Sequence, residues 1–151
     1  MVERAIRIIP RSEIVEVARS WIGTPYRHQG RQKGRAIDCI GLVYGVWLDL
    51  GFPPVDIPAN YTESPSGTLL QEHADQNLVI TDRKELYPGD IAILWGWKRE
   101  PQHFAIVGEH AGRLTMIHAF SKRGSVVEHG WDEFWRERLV RIYEFPGTEA
   151  V

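Results

Sequence analysis

The chain contains a single cysteine, Cys39, which follows an aspartate and opens the apolar run Cys39-Ile40-Gly41-Leu42-Val43. A lone thiol cannot form an intrachain disulfide, and it cannot supply a zinc site built from several thiolates. It can act as a nucleophile. A free thiol has a pKa near ~8.5, and a helix N-terminus together with a neighbouring imidazolium lowers it by several units. With Asp38 as N-cap, Cys39 falls in the first turn of a helix, which predicts a thiolate at neutral pH. The unpaired N–H groups of that turn, including the amide of Cys39, are also suited to receive an oxyanion. The alternative is a small buried apolar residue, a common fate for free cysteine.

The histidines bear on which reading holds. His103 opens the run His103-Phe104-Ala105-Ile106-Val107, and His118 lies within 114–120, with the turn His110-Ala111-Gly112-Arg113 between them. Closing that turn as a hairpin pairs Glu109 with Leu114, so His118 faces Ala105 and His103 faces Phe120. The two histidines then share a face as diagonal neighbours, roughly 7–8 Å apart at the backbone. His103 is therefore the candidate general base for Cys39, and His118 the group that orients its ring. A one-residue bulge would undo this. A zinc ion held by Cys39, His103 and His118 is the competing use of the same side chains, while the favoured reading needs no metal or other cofactor. Arg27, Arg31, Lys33 and Arg35 precede the cysteine, either to bind carboxylates and lower the thiol pKa or simply as a solvated loop. Trp97 stands in a polar loop before His103, suited to an aromatic wall for substrate, whereas Trp95 is expected in the core. Trp131, Phe134 and Trp135 form a cluster suited to a core lid or a contact with another subunit.

These residues need elements to position them. Ile14, Val17, Ala18, Trp21 and Ile22 recur at helical spacing after Ser12, a candidate N-cap, with Gly23 and Pro25 as the stop. A second helix is predicted from Asp38 to about Leu50 and a third over 68–77, after a long irregular connection at 51–67. Beyond the turn Pro88-Gly89-Asp90 the pattern shifts to short apolar runs at 91–95, 103–107, 114–120 and 125–128, read as strands in meander order. A short helix over 132–138 and a strand over 140–145 complete the chain. Helices first and strands afterwards predict an α+β fold with a largely antiparallel sheet.

The composition limits what such a site serves. With 151 residues, 43% apolar and 25% charged, the chain reads as one domain over 1–151. Eighteen basic against twenty acidic residues give a net charge of −2, which argues against nucleic acid as a partner. The most apolar window, 91–97, is far shorter than the ~20 residues of a membrane span, and no membrane insertion is expected. The first residues lack the apolar stretch of a secretory signal. No GxSxG, HExxH, GxxxxGK or GxGxxG occurs in the chain, so serine hydrolase, zincin, P-loop and dinucleotide readings lose their main support.

Taken together, TPYRHQG upstream of DCIGLV, then ELYPGDIAIL, QHFAIVGE and MIHAF followed by SVVEH resemble the NlpC-type papain-like cell-wall peptidases over roughly 14–128. The resemblance implies a papain-like core with Cys39 as nucleophile, His103 as base and His118 as third polar residue. It implies that Tyr26 and Asp38 contact substrate, and that the reaction is hydrolysis of an amide in peptidoglycan stem peptides, often between D-glutamate and a diamino acid. One departure is Ile40, where many members have serine; it removes a polar contact and leaves the bond cleaved open. The nearest subgroup in wording is the tail-associated peptidases of phages and gene transfer agents. That implies tail or baseplate proteins as partners, synthesis in the cytoplasm, and action on the periplasmic wall from a tail-like particle. The alternatives are a structural tail subunit with a vestigial thiol, or an amidase of the same fold acting on another amide.

Overall fold

Helix α1 (Arg11–Arg19) turns Ile14, Val15 and Ala18 inward. It begins before the expected Ser12 cap: Pro10 is the N-cap and makes no side-chain cap bond, while the distant Glu149 carboxylate accepts from the Arg11 N–H at 2.8 Å. Arg11 explains the shift. Its guanidinium is drawn into the protein, 2.8 Å from Asp90 and 2.7 Å from Glu144, and Arg83 joins both carboxylates. This long-range charge cluster fixes the helix start in place of a local cap. Tight turns follow α1, burying Trp21 and leaving Ile22 exposed, and Gly23 (φ 90°) ends the segment in the left-handed region. The computed structural model describes residues 7–57, 61, 68–96 and 100–151.

Strands β1 (Arg31–Gln32) and β2 (Ala36–Ile37) form a small antiparallel ladder that the sequence did not suggest, being too short for any periodic signal. Helix α2 (Cys39–Asp49) follows as predicted, with Asp38 as N-cap accepting from the N–H of Gly41 at 2.8 Å. Ile40, Leu42, Val43, Val46 and Trp47 are all buried, so α2 is apolar around most of its circumference and is the central helix. Helix α3 (Leu69–Asn77) matches the expected third helix and leads into the two-residue β3 (Val79–Ile80). Of the irregular connection expected at 51–67, residues 58–60 and 62–67 lie outside the described residues. Among the described residues no helix is long and apolar enough to cross a membrane.

The sheet is built from β4 (Ile91–Trp95), β5 (Pro101–His110), β6 (Arg113–Phe120) and β7 (Ser125–Gly130), paired in the predicted meander. The short helix α4 (Glu133–Arg136) is capped by Asp132, and β8 (Leu139–Glu144) crosses back to pair with β4. The order is β3-β8-β4-β5-β6-β7, antiparallel throughout. Alternation gives the sheet two faces. Ile91, Ile93, Phe104, Ile106, Ile117 and Ala119 pack in one core with the helices. Ala92, Leu94, Ala105, Val107 and Met116 face the other way, under Trp131 and Trp135. The fold is α+β, as the order of elements predicted.

Candidate active site

Cys39 is the first residue of α2, and two features of its neighbourhood fix that helix start. Asp38 is 2% exposed, and both of its oxygens are in use. One accepts from Gly41 N–H at 2.8 Å and Arg31 at 2.9 Å; the other accepts from Gln29 N–H at 2.8 Å and from the Tyr61 hydroxyl. Arg31 also donates to the Tyr61 oxygen. A carboxylate offers about four acceptor positions, and here all are filled, so Asp38 organises the start of α2. The second feature is Gly41, where a Cβ would lie 2.4 Å from the carbonyl oxygen of Gly30. Only glycine lets the loop at 27–37 pass this close to the helix. Gln29 completes the corner in a left-handed conformation (φ 61°).

The Cys39 thiol takes main-chain partners, at Phe104 and at Ile40. Phe104 is the neighbour of His103, so α2 delivers the sulfur to the stretch of β5 that carries the imidazole. Burial pushes the thiol up to about 12, the negative charge of Asp38 adds to this, and the main-chain groups and Arg31 pull against it. Loss of water and the adjacent carboxylate thus work against the expected thiolate, opposing the helix N-terminus.

The hairpin register is as expected, with Glu109 opposite Leu114 and Ile106 opposite Ile117. His103 Nε2 lies 2.7 Å from His118 Nδ1, a direct hydrogen bond. His118 is fully buried, and Phe120 stacks on it with centroids 4.9 Å apart. Burial lowers His103 to about 4, the charge of His129 adding to the effect. His118 is held lower still, by burial first and then by its two histidine neighbours. Both rings are neutral at pH 7, the form in which an imidazole accepts a proton. Among the described residues no group of three or more His, Cys, Asp or Glu side chains is arranged to hold a metal ion.

Tyr26 is half-buried and bridges to Ile37, two residues before Cys39. Trp97 lies outside the described residues. Trp95, expected in the core, is instead half-buried, with Arg138 over its ring and its N–H donated to the Glu137 carbonyl. Of the basic run, Arg31 serves Asp38, and Lys33 bonds Asp49 and Ser20; Arg27 and Arg35 are exposed. An apolar cleft is lined by Ile40, which follows Cys39, and by Val43, Tyr44, Trp47, His73 and Phe104.

The NlpC/P60 family profile matches residues 23–144. The chain belongs to the NlpC/P60 family. Solved structures of the family share its fold. A Bacillus cereus ATCC 10987 NlpC/P60 family protein superposes with a TM-score of 0.65 at 18% identity, over 93% of this chain and 42% of that one. NlpC1 from Trichomonas vaginalis gives 0.61 at 16% identity, over 90% and 44%. The NlpC/p60 domain of the peptidoglycan hydrolase SagA gives 0.51 at 21% identity, over 81% and 90%. The chain thus spans less than half the length of the first two proteins. No curated protein matches the sequence. The papain-like NlpC/P60 fold is therefore the fold of this chain.

Three residues of this NlpC/P60 site were not read from the sequence. Tyr61 sits in the proline-rich connection with nothing local to tie it to Asp38. Trp135, noted only as part of an aromatic cluster, covers the histidines, its centroid 6.1 Å from His103 and 5.2 Å from His118. His129 lies against His118, Nε2 to Nε2, at 2.8 Å. A signal for His129 exists: closing a hairpin over 121–124 pairs Phe120 with Ser125 and sets His129 diagonal to His118.

Proposed function

We propose that this chain is a cysteine peptidase that hydrolyses an amide bond in peptidoglycan stem peptides. The observation that carries the reading is a neutral His103 bonded to a buried His118, on the strand whose main chain meets the Cys39 thiol. Family membership and the similarity to the SagA domain support peptidoglycan as the substrate class.

In this mechanism His103 removes the thiol proton as sulfur attacks the substrate carbonyl, since little thiolate stands ready. The tetrahedral oxyanion accepts from the amide of Cys39, which the Asp38 cap does not use. Collapse breaks the C–N bond, His103 returns the proton to the leaving amine, and a thioester remains. Water, deprotonated by His103, attacks the thioester; the acid departs and the thiol is restored. His118 keeps the His103 ring in place throughout. Tyr26 contacts the peptide near Ile37. Ile40, the residue after Cys39, and Phe104 give the nearby cleft an apolar lining, suited to the aliphatic part of a diamino acid next to D-glutamate.

The finer reading is a tail-associated peptidase of a phage-like particle, supported by the wording of the motifs around Cys39, His103 and His118. A second reading, a structural subunit with a vestigial thiol, draws on the raised thiol pKa. Mass spectrometry of purified muropeptides incubated with the wild type and with Cys39→Ala tests the main one. A cleavage product with the wild type alone is expected, its mass naming the bond; no product from folded wild type would favour the structural subunit.

A further inference from the structure

His118 is the middle of a row of three rings, and the row ends on a group that can only accept. His103 Nε2 meets His118 Nδ1 at 2.7 Å, His118 Nε2 meets His129 Nε2 at 2.8 Å, and His129 Nδ1 meets the carbonyl oxygen of Gly130 at 2.9 Å. A neutral imidazole has one N–H and one lone pair, so one fixed end determines the whole row. The carbonyl needs a donor, hence His129 carries its proton on Nδ1 and presents a lone pair at Nε2. His118 must then donate from Nε2 and accept at Nδ1. His103 in turn must donate from Nε2, which leaves the lone pair on its Nδ1. The opposite sense would set the lone pair of His129 Nδ1 against the carbonyl oxygen and the proton of His103 on Nδ1.

We propose that His129 is a positioning residue: anchored on the Gly130 carbonyl, it sets through His118 the tautomer of His103 in which Nδ1 is the free base. The inference rests on the peptidase reading for its consequence but not for its geometry. The surroundings favour a fixed sense. Trp135 lies 6.0 Å from His129 by centroid as well as over the other two rings, and Phe120 stacks on His118. With His118 fully buried, no solvent reaches the middle ring to satisfy it in the other sense. His129 itself is half-buried, so it accepts substitution more readily than His118.

The direct test is nitrogen NMR of the imidazoles in the wild type at a pH where they are neutral, which needs no substrate. Nε2–H at His103 and His118 with Nδ1–H at His129 is expected, and Nδ1–H at His103 would overturn the proposal. The functional test reverses the polarity at the anchor. His129→Glu places an acceptor against His118 and should keep kcat within about threefold, whereas His129→Lys places a donor there. The lysine variant should lose about 100-fold in kcat, the low end of a general base's contribution, with KM unchanged. Equal losses in the two variants would mean that His129 acts by packing alone and would overturn the proposal. If the wild type has no peptidase activity, the peptidase reading fails while the NMR result still decides the tautomer.

Discussion

Burial opposes charge on both Cys39 and His103, with Asp38 adding to the effect at the thiol and His129 at the imidazole. Burial pushes the thiol up to about 12 and His103 down to about 4, so a resting thiolate–imidazolium pair is disfavoured on both sides. Alkylation of Cys39 by iodoacetamide should therefore be slow at pH 7, climb about tenfold per pH unit above it, and become fast once the chain is unfolded. A fast rate that persists to pH 5 in the folded protein would show a thiolate and sink this account. Cys39, His103 and His118 were legible because residue type, a capping aspartate and one tight turn locate them. The charge state was not legible, since it depends on what surrounds the sulfur, and neither was Asp38's saturation by Arg31, Gln29, Gly41 and Tyr61.

At the scale of elements, the join between the loop at 27–37 and the start of α2 decides where the sulfur sits. Gly41 permits that join, because the Gly30 carbonyl passes where any Cβ would be. Gly41→Ala should separate the two, weakening the Gln29–Asp38 bond and costing about 2 kcal/mol by urea denaturation, with turnover falling further than stability. Unchanged stability and turnover would mean the loop gives way freely. Helical periodicity revealed α1, α2 and α3, and alternation revealed the meander, because both patterns repeat over a turn or more. Strands β1, β2 and β3 have two residues each, too few to alternate. The start of α1 was misread because Arg11 answers to Asp90 and Glu144, residues remote in sequence.

For the whole molecule, His103 and His118 make stability depend on pH. The folded chain keeps His103 neutral to about pH 4 and His118 neutral beyond that, whereas the unfolded chain protonates both near ~6.5. Between those limits the unfolded state binds more protons, so stability is full above pH ~6.5 and falls as pH drops toward 4. Each histidine contributes up to about 1.4 kcal/mol per pH unit in that window. Urea denaturation from pH 7 to 4.5 should record the decline, and His118→Asn, which cannot titrate, should flatten it; identical slopes would refute the assignment. The α+β class was readable from the order of elements. The return of β8 to β4 was not, since a strand's partner across the sheet leaves no mark in its own sequence.

That return also sets a time at which the site can exist. Ribosomes release Cys39, His103 and His118 well before residues 139–144, yet β8 fills the gap between β3 and β4. A nascent chain halted after β7 holds Cys39, His103 and His118, but β4 has one edge open and β3 has no neighbour. The six-stranded sheet that carries both histidines is thus completed only once β8 has been made.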